Sequence, residues 1–150
     1  MRKIETAEEV LEFAIAREVE ANRFYLALAE RVDVLEMRKV FEELAEEELE
    51  HKAKLELEFL KKGKALFSKD RVIDINTSDY IISDEPLIDM DYKDMLCLAI
   101  EKEDAAFRIY VNLLGYVDDH ESREVLLAIA EEEVKHKLRF EIEYDNLLKK

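Results

Sequence analysis

The sequence holds two glycines, one proline, one cysteine and no tryptophan in 150 residues. Each scarcity removes a class of structure. A sandwich or barrel of short strands needs a turn every few residues, and this chain has almost no residues to build them; the abundant Leu, Ala, Glu, Lys and Arg favour long helices instead, so the fold class is all-α. One cysteine, Cys97, forms neither an internal disulfide nor a Cys-x-x-Cys metal knot, which agrees with a reducing, cytoplasmic setting. No apolar run approaches the roughly 20 residues that span a bilayer, and the opening MRKIETAEEVLEF lacks the unbroken apolar core of a signal peptide. Cations are outnumbered, 23 against 38 acidic residues, and the formal charge of −15 repels nucleic acid and anionic lipid surfaces alike. A chain of 1–150 is expected to form one domain around one core.

What the sequence has in plenty is helical period. Apolar residues recur at steps of three and four through residues 7 to 32, 36 to 61, 92 to 115 and 120 to 147. Thr6 with Glu9 reads as a capping box for the first helix, Asp91 with Asp94 caps the third, and Asp118-Asp119 after Gly115 separates the third from the fourth. The first and last connections are short, so each pair of helices is an antiparallel hairpin. Residues 62–91 differ in texture, with Gly63, Pro86 and clustered Ser, Asn and Asp around Val72, Ile73 and Ile75. They suit a long crossover lying partly on the bundle, or a hinge for helix exchange between subunits. Two hairpins joined in this way give a four-helix bundle of the ferritin-like arrangement. A homodimer is the expected assembly.

The chain also repeats itself. AEEELEHK at residues 45 to 52 returns as AEEEVKHK at 130 to 137, and a gapless shift of 85 positions pairs residues 14 to 60 with 99 to 145 at 20 identities in 47. The informative identities are polar: Glu18 with Glu103, Tyr25 with Tyr110, Glu48 with Glu133 and His51 with His136. Each falls on an inward stripe. The first helix runs Leu11, Ala14, Glu18, Ala21, Tyr25, Leu28, and the third Leu96, Ala99, Glu103, Ala106, Tyr110, Leu113. In the second, Met37, Phe41 and Leu44 lead to Glu48 and His51; in the fourth, Leu126 and Ile129 lead to Glu133 and His136. Glu and His three residues apart project from one helix face.

An ionised carboxylate on a buried face costs several kcal/mol unless it is compensated, and four that converge repel one another. These stripes carry no Lys or Arg. Two divalent cations would balance four carboxylates, and four Glu with two His offer the oxygen and nitrogen donors that iron or manganese accepts. This is the general ligand pattern of carboxylate-bridged di-metal bundles: one Glu from each of two helices and Glu-x-x-His from each of the others. The alternative reading of a glutamate-rich motif is a solvated face, and it suits Glu46, Glu47, Glu50, Glu131 and Glu132. His120 is expected at the surface and Cys97 in the core.

At these residues the chain resembles the rubrerythrin branch of the ferritin-like superfamily. The resemblance lies in Glu18, Ala21 and Tyr25 on the first helix and in Phe41 ten residues before His51, with Glu48, on the second. It implies that Glu48 and Glu133 bridge two irons (a manganese or mixed pair also suits), that Glu18 and Glu103 are terminal ligands, and that His51 and His136 complete the shells. Tyr25 and Tyr110 would hydrogen-bond ligand carboxylates.

Two departures stand out. Rubrerythrins carry a further glutamate three residues after the first on the third helix, where this chain has Ala106. A count starting at Glu101 supplies Asp104 there, but it breaks the repeat and turns Glu101 about 200° from Glu103. No rubredoxin-type cysteine pair follows the fourth helix, so an electron donor such as a rubredoxin would be a separate protein. The same six residues are similar to the ferroxidase centre of bacterioferritins, but Leu49 stands where those proteins have a haem-ligating Met, and their short fifth helix is missing, which disfavours haem and a cage.

The resemblance implies a non-haem di-iron oxidoreductase that reduces hydrogen peroxide. Its alternatives are a ferroxidase that uses oxygen or peroxide on ferrous iron, and a metal-binding or structural bundle without turnover.

Overall fold

The computed structural model describes residues 3, 4, 6–63, 75–83 and 90–149, so Val72, Ile73 and Pro86 of the crossover lie outside the described residues. Four long helices carry the fold: α1 (Ala7–Arg31), α2 (Leu35–Lys62), α3 (Tyr92–Leu114) and α4 (His120–Leu148). Their ends follow local chemistry. Thr6 accepts a hydrogen bond from the Glu9 backbone N–H at 3.2 Å, Asp91 from that of Asp94 at 2.9 Å, and Asp119 from that of Ser122 at 3.0 Å. Each cap satisfies one of the donors left free in a first helical turn. Gly63 ends α2 at φ 55°, ψ −135°, a backbone conformation that side-chain-bearing residues rarely adopt.

Three residues, Val32, Asp33 and Val34, join α1 to α2, and the turn is held by Arg38 Nη2 donating to Val32 O at 3.1 Å. Arg123 Nη1 clamps the α3–α4 turn, donating to the carbonyls of Leu114 and Val117. Short connections force antiparallel neighbours, and α1 packs chiefly on α2 and α3 on α4. The result is an all-helical, ferritin-like bundle of two hairpins. No helix among the described residues is long and apolar enough to cross a membrane.

The crossover contributes a feature the sequence did not announce. Residues Ile75–Asn76 (β2) pair antiparallel with Lys3–Ile4 (β1), Ile4 facing Ile75. A single 3₁₀ turn, Thr77–Tyr80, follows, started by Asn76 accepting from Ser78 N at 3.2 Å. Its Tyr80 ring lies edge-on to Phe13 of α1 at 6.5 Å, and the Tyr80 hydroxyl accepts from Asn112 Nδ2 of α3 at 2.6 Å. The strap therefore spans the α1–α3 face.

Inside the bundle the core is split in two. At one end Val10, Leu11, Ala14, Leu55, Ile109 and Leu126 are buried together with Ile75 of the crossover. At the other, Phe24, Leu28, Met37, Phe41, Leu96 and Phe140 form a second cluster, in which the Phe41 and Phe140 rings lie 5.7 Å apart. Burial of such side chains stabilises by about 1.5–3 kcal/mol each. Between the two clusters lies a layer of buried polar groups: Glu18, Glu48, Glu103, Glu133, His51 and His136, none more than 7% exposed.

Candidate metal centre

All six candidate ligands meet in that layer, one or two from each helix, because the stripe positions that sit halfway along each helix face the same point. They form two overlapping groups, Glu18, Glu48, His51 and Glu133, and Glu48, Glu103, Glu133 and His136; within each group the donor atoms lie within 4.8 Å of one another. Glu48 and Glu133 belong to both. His51 Nδ1 lies 3.1 Å from Glu133 Oε1, 3.4 Å from Glu18 Oε2 and 3.7 Å from Glu48 Oε1. His136 Nδ1 lies 3.6 Å from Glu48 Oε1 and 3.5 Å from Glu103 Oε1. Donors bound to one ion at about 2.1 Å sit roughly 3.0–4.2 Å apart, so the spacing fits metal coordination.

The hydrogen bonds point the same way. Glu18 Oε2, Glu48 Oε1, Glu103 Oε2, both Glu133 oxygens and the Nδ1 of both histidines are buried without a hydrogen-bond partner. Orphaned buried acceptors on this scale are costly, and here all converge on one place. A pair of divalent cations satisfies every one of them, so the residues present fit the group.

Electrostatics lead to the same conclusion, that this layer is built around positive charge. Burial pushes Glu48 and Glu133 well above the usual carboxylate range, and the neighbouring carboxylates add to it, Glu133, Glu18 and Glu103 acting on Glu48 and Glu103 and Glu18 acting on Glu133. Burial works against the charged form of His51 but is outweighed by Glu18, Glu48 and Glu132, which raise it to about 10. His136 is raised in the same sense by Glu103 and Glu47 against its burial. Without a metal, protons would do the work of cations.

The second layer of contacts crosses between hairpins. Tyr25 of α1 donates its hydroxyl to Glu103 of α3, and Tyr110 of α3 donates to Glu18 of α1. Both tyrosines are pushed well above their ordinary pKa by burial and then by the adjacent carboxylates, so the donors stay protonated.

Glu47 and Glu132 require a correction. The helical wheel assigns both to solvent, yet Glu132 Oε2 of α4 lies 2.5 Å from His51 Nε2 of α2, and Glu47 Oε2 of α2 lies 3.0 Å from His136 Nε2 of α4. A carboxylate on Nε2 favours the proton there, which would leave Nδ1 as the nitrogen that gives up its proton and faces the layer when a metal binds. The 85-residue repeat contains the signal, since Glu47 and Glu132 are themselves a repeated pair. Glu46, Glu50 and Glu131 are exposed as expected, and so is His120. Cys97 is half-buried rather than fully in the core. Glu101 is exposed, and Asp104 pairs with Lys137 at 3.0 Å and Arg108 at 3.1 Å, which leaves Glu103 as the residue of α3 that faces the centre. A further buried carboxylate that sequence reasoning missed, Glu58, lies away from the centre and accepts from Ser122 Oγ at 2.9 Å.

Comparison with known proteins agrees with this fold. A protein from Thermotoga maritima, proposed to be a ferritin-like diiron-carboxylate protein, superposes with a TM-score of 0.82 at 21% identity over 97% of each chain. A hypothetical protein from Pyrococcus furiosus superposes with a TM-score of 0.73 at 27% identity, over 96% of this chain and 91% of that one. No curated protein matches the sequence. Residues 9–144, which contain all six candidate ligands and both tyrosines, match the rubrerythrin family, and the chain belongs to it.

Proposed function

We propose that the protein is a non-haem di-iron oxidoreductase that reduces hydrogen peroxide to water, with electrons from a separate donor protein such as a rubredoxin. The observation that carries this reading is the sharing of Glu48 and Glu133 between two groups of otherwise unpartnered donors. Two ions held side by side can act on both oxygens of one small molecule.

In this reading Glu18, Glu48, His51, Glu103, Glu133 and His136 would hold the metal pair, Glu48 and Glu133 being common to both donor groups and the histidines offering Nδ1. Iron held there would supply the pair of electrons that cleavage of the O–O bond consumes. The protein's own groups do the rest. Tyr25 and Tyr110 each tie one oxygen of Glu103 and Glu18, leaving a single oxygen of each free for metal. Glu132 and Glu47 fix the imidazoles. The apolar clusters on either side exclude bulk water from the layer. A separate donor is part of this proposal: a rubredoxin-type iron takes four cysteine thiolates, and residues 1–150 hold one, Cys97.

Oxidation of ferrous iron as a substrate is the competing reading, since the same six residues suit it. The test loads the protein with ferrous iron without oxygen and then mixes it rapidly with peroxide or oxygen, following the near-ultraviolet absorbance of oxidised iron. Faster oxidation by peroxide, with turnover restored by a reductant, supports peroxide reduction. Equal speed with oxygen and mineralisation of excess iron replaces it with ferroxidation. No absorbance change with either leaves a metal-binding or structural bundle.

A further inference from the structure

The outer faces of α2 and α4 carry apolar side chains that the core does not use. Nine of the thirteen large apolar side chains exposed among the described residues lie on these two helices, against one each on α1 and α3. Leu49, Ala53 and Leu57 stand at i, i+4 and i+8 on α2, and a shift of 85 residues turns them into Val134, Leu138 and Ile142 on α4. All six are exposed, the five larger ones by 42–54%. Each is turned about 100° or more from the inward glutamate of its own helix.

The repeat thus keeps an outward apolar stripe as well as an inward set of donors. Together with Leu60 and Leu127, exposed by 81% and 43%, the stripes leave on the order of 500 Å² of apolar surface, the upper end for a patch on a monomer. That is about the apolar part of what one partner of a standard interface buries. A stripe present in both halves suits a partner that shows the same two stripes, and a second copy of the chain does.

The two stripes form one face. Glu47 meets His136 and His51 meets Glu132, so α2 and α4 run antiparallel with Leu49 level with Val134. In charge, however, the two helices differ. Between residues 42 and 50, α2 exposes Glu42, Glu43, Glu46 and Glu50 and no cation. Between residues 131 and 139, α4 exposes Glu131, Lys135 and Arg139, with Lys135 standing where the repeat places Glu50. None of these seven makes an ion pair with another described residue.

We infer that a second copy of the chain docks on this face, with α2 of each copy against α4 of the other. A two-fold axis parallel to the helices and between the stripes sets Leu49 against the partner subunit's Val134. It also brings Glu50 and Glu46 within about 3 Å, along the helix, of the levels of the partner subunit's Lys135 and Arg139. The other face-to-face arrangement lays α2 on α2 and sets four carboxylates against four. Repulsion between two chains of formal charge −15 is screened beyond about 8 Å at physiological salt, so the local pairs decide. The same glutamates repel an anionic lipid surface. The contact closes the groove in which Glu47 and Glu132 reach His136 and His51. It stands on the outer surface alone and depends neither on a bound metal nor on peroxide.

Sedimentation of the whole chain from about 1 to 200 µM reads the assembly, and the expected species is a dimer of twice 17.7 kDa. Leu57→Glu and Leu138→Glu, made separately, should each weaken the dimer at least about hundredfold with the helical circular dichroism unchanged. Glu50→Lys should weaken it about tenfold, because the new cation meets the partner subunit's Lys135 at both ends of the two-fold. Adding Lys135→Glu to the same chain should bring the dissociation constant back to within about threefold of wild type. In a dimer of α2 on α2, Glu50→Lys would not weaken association and the double variant would restore nothing, a result that overturns the pairing. A dimer that neither leucine variant weakens overturns the face. A monomer throughout the range overturns the second copy as its occupant and leaves the face to another protein. Should a leucine variant unfold, the charge pair decides, since Glu50 and Lys135 are both exposed.

Discussion

Glu133→Gln should make the metal-free protein more stable while spoiling the site. Glu133 is fully buried, and burial followed by the charges of Glu103 and Glu18 raises its pKa well above the ordinary 4.5. The folded state then keeps a proton that the unfolded state releases as pH passes 4.5, so the contribution of this group to stability falls as pH rises, until the folded pKa is reached. Each pH unit costs about 1.36 kcal/mol. At pH 8 the ceiling is about 5 kcal/mol, reduced by side-chain relaxation and water entry to an expected 1–3 kcal/mol. Glutamine keeps the shape and needs no proton. The metal-stripped variant should therefore melt roughly 3–10 °C above the wild type at pH 8 and nearly level with it at pH 5. Far-ultraviolet circular dichroism at the two pH values reads the difference, and elemental analysis of loaded protein should show fewer than two metals per subunit. A variant less stable than wild type at pH 8, or a gain equal at both pH values, would refute the claim that this carboxylate is held against its own charge.

Tyr25→Phe leaves Glu103 Oε1 without its donor and should weaken metal binding about 10–100-fold, as measured by competition with a chelator. A shift below about threefold would mean that the hydroxyl does not orient the carboxylate. Glu47→Gln and Glu132→Gln, made separately, should each lower metal affinity about tenfold or more, with little change in the helical circular dichroism; wild-type affinity in both would make these contacts incidental. His51, raised to about 10, contributes stability in full below its unfolded value of 6.5 and loses it as pH climbs through about 10. Metal-stripped protein should thus melt lower at pH 9.5 than at pH 6.5, and a metal-free melting point that rises over that interval would contradict the assignment.

Much of the fold was legible because helix formation here is a local matter. The apolar period and the caps at Thr6, Asp91 and Asp119 set the helix starts, and the observed ends fall within a residue or so of the expected ones. The pairing of β1 with β2 was not legible. Two residues carry no alternation to read, and their partners lie about 70 positions apart, so only the folded bundle brings Ile4 to Ile75.

The centre divides along the same line. A glutamate that interrupts an apolar stripe declares itself in one helix, and the repeat declares it twice, so the convergence of Glu18, Glu48, Glu103 and Glu133 with His51 and His136 is legible in the amino-acid pattern alone. Glu47 and Glu132 could not be read from a single wheel, because each sits about 100° from the inward glutamate that follows it, at an angle that normally means solvent. What turns that edge into part of the centre is the antiparallel neighbour: Glu47 on α2 is aimed at His136 on α4, and Glu132 on α4 at His51 on α2. Reading such a residue takes the identity of the neighbouring helix as well as the phase of its own. The one-helix pattern thus specifies the donors that face the centre, while the groups that orient those donors are specified by how the two halves of the repeat are placed against each other.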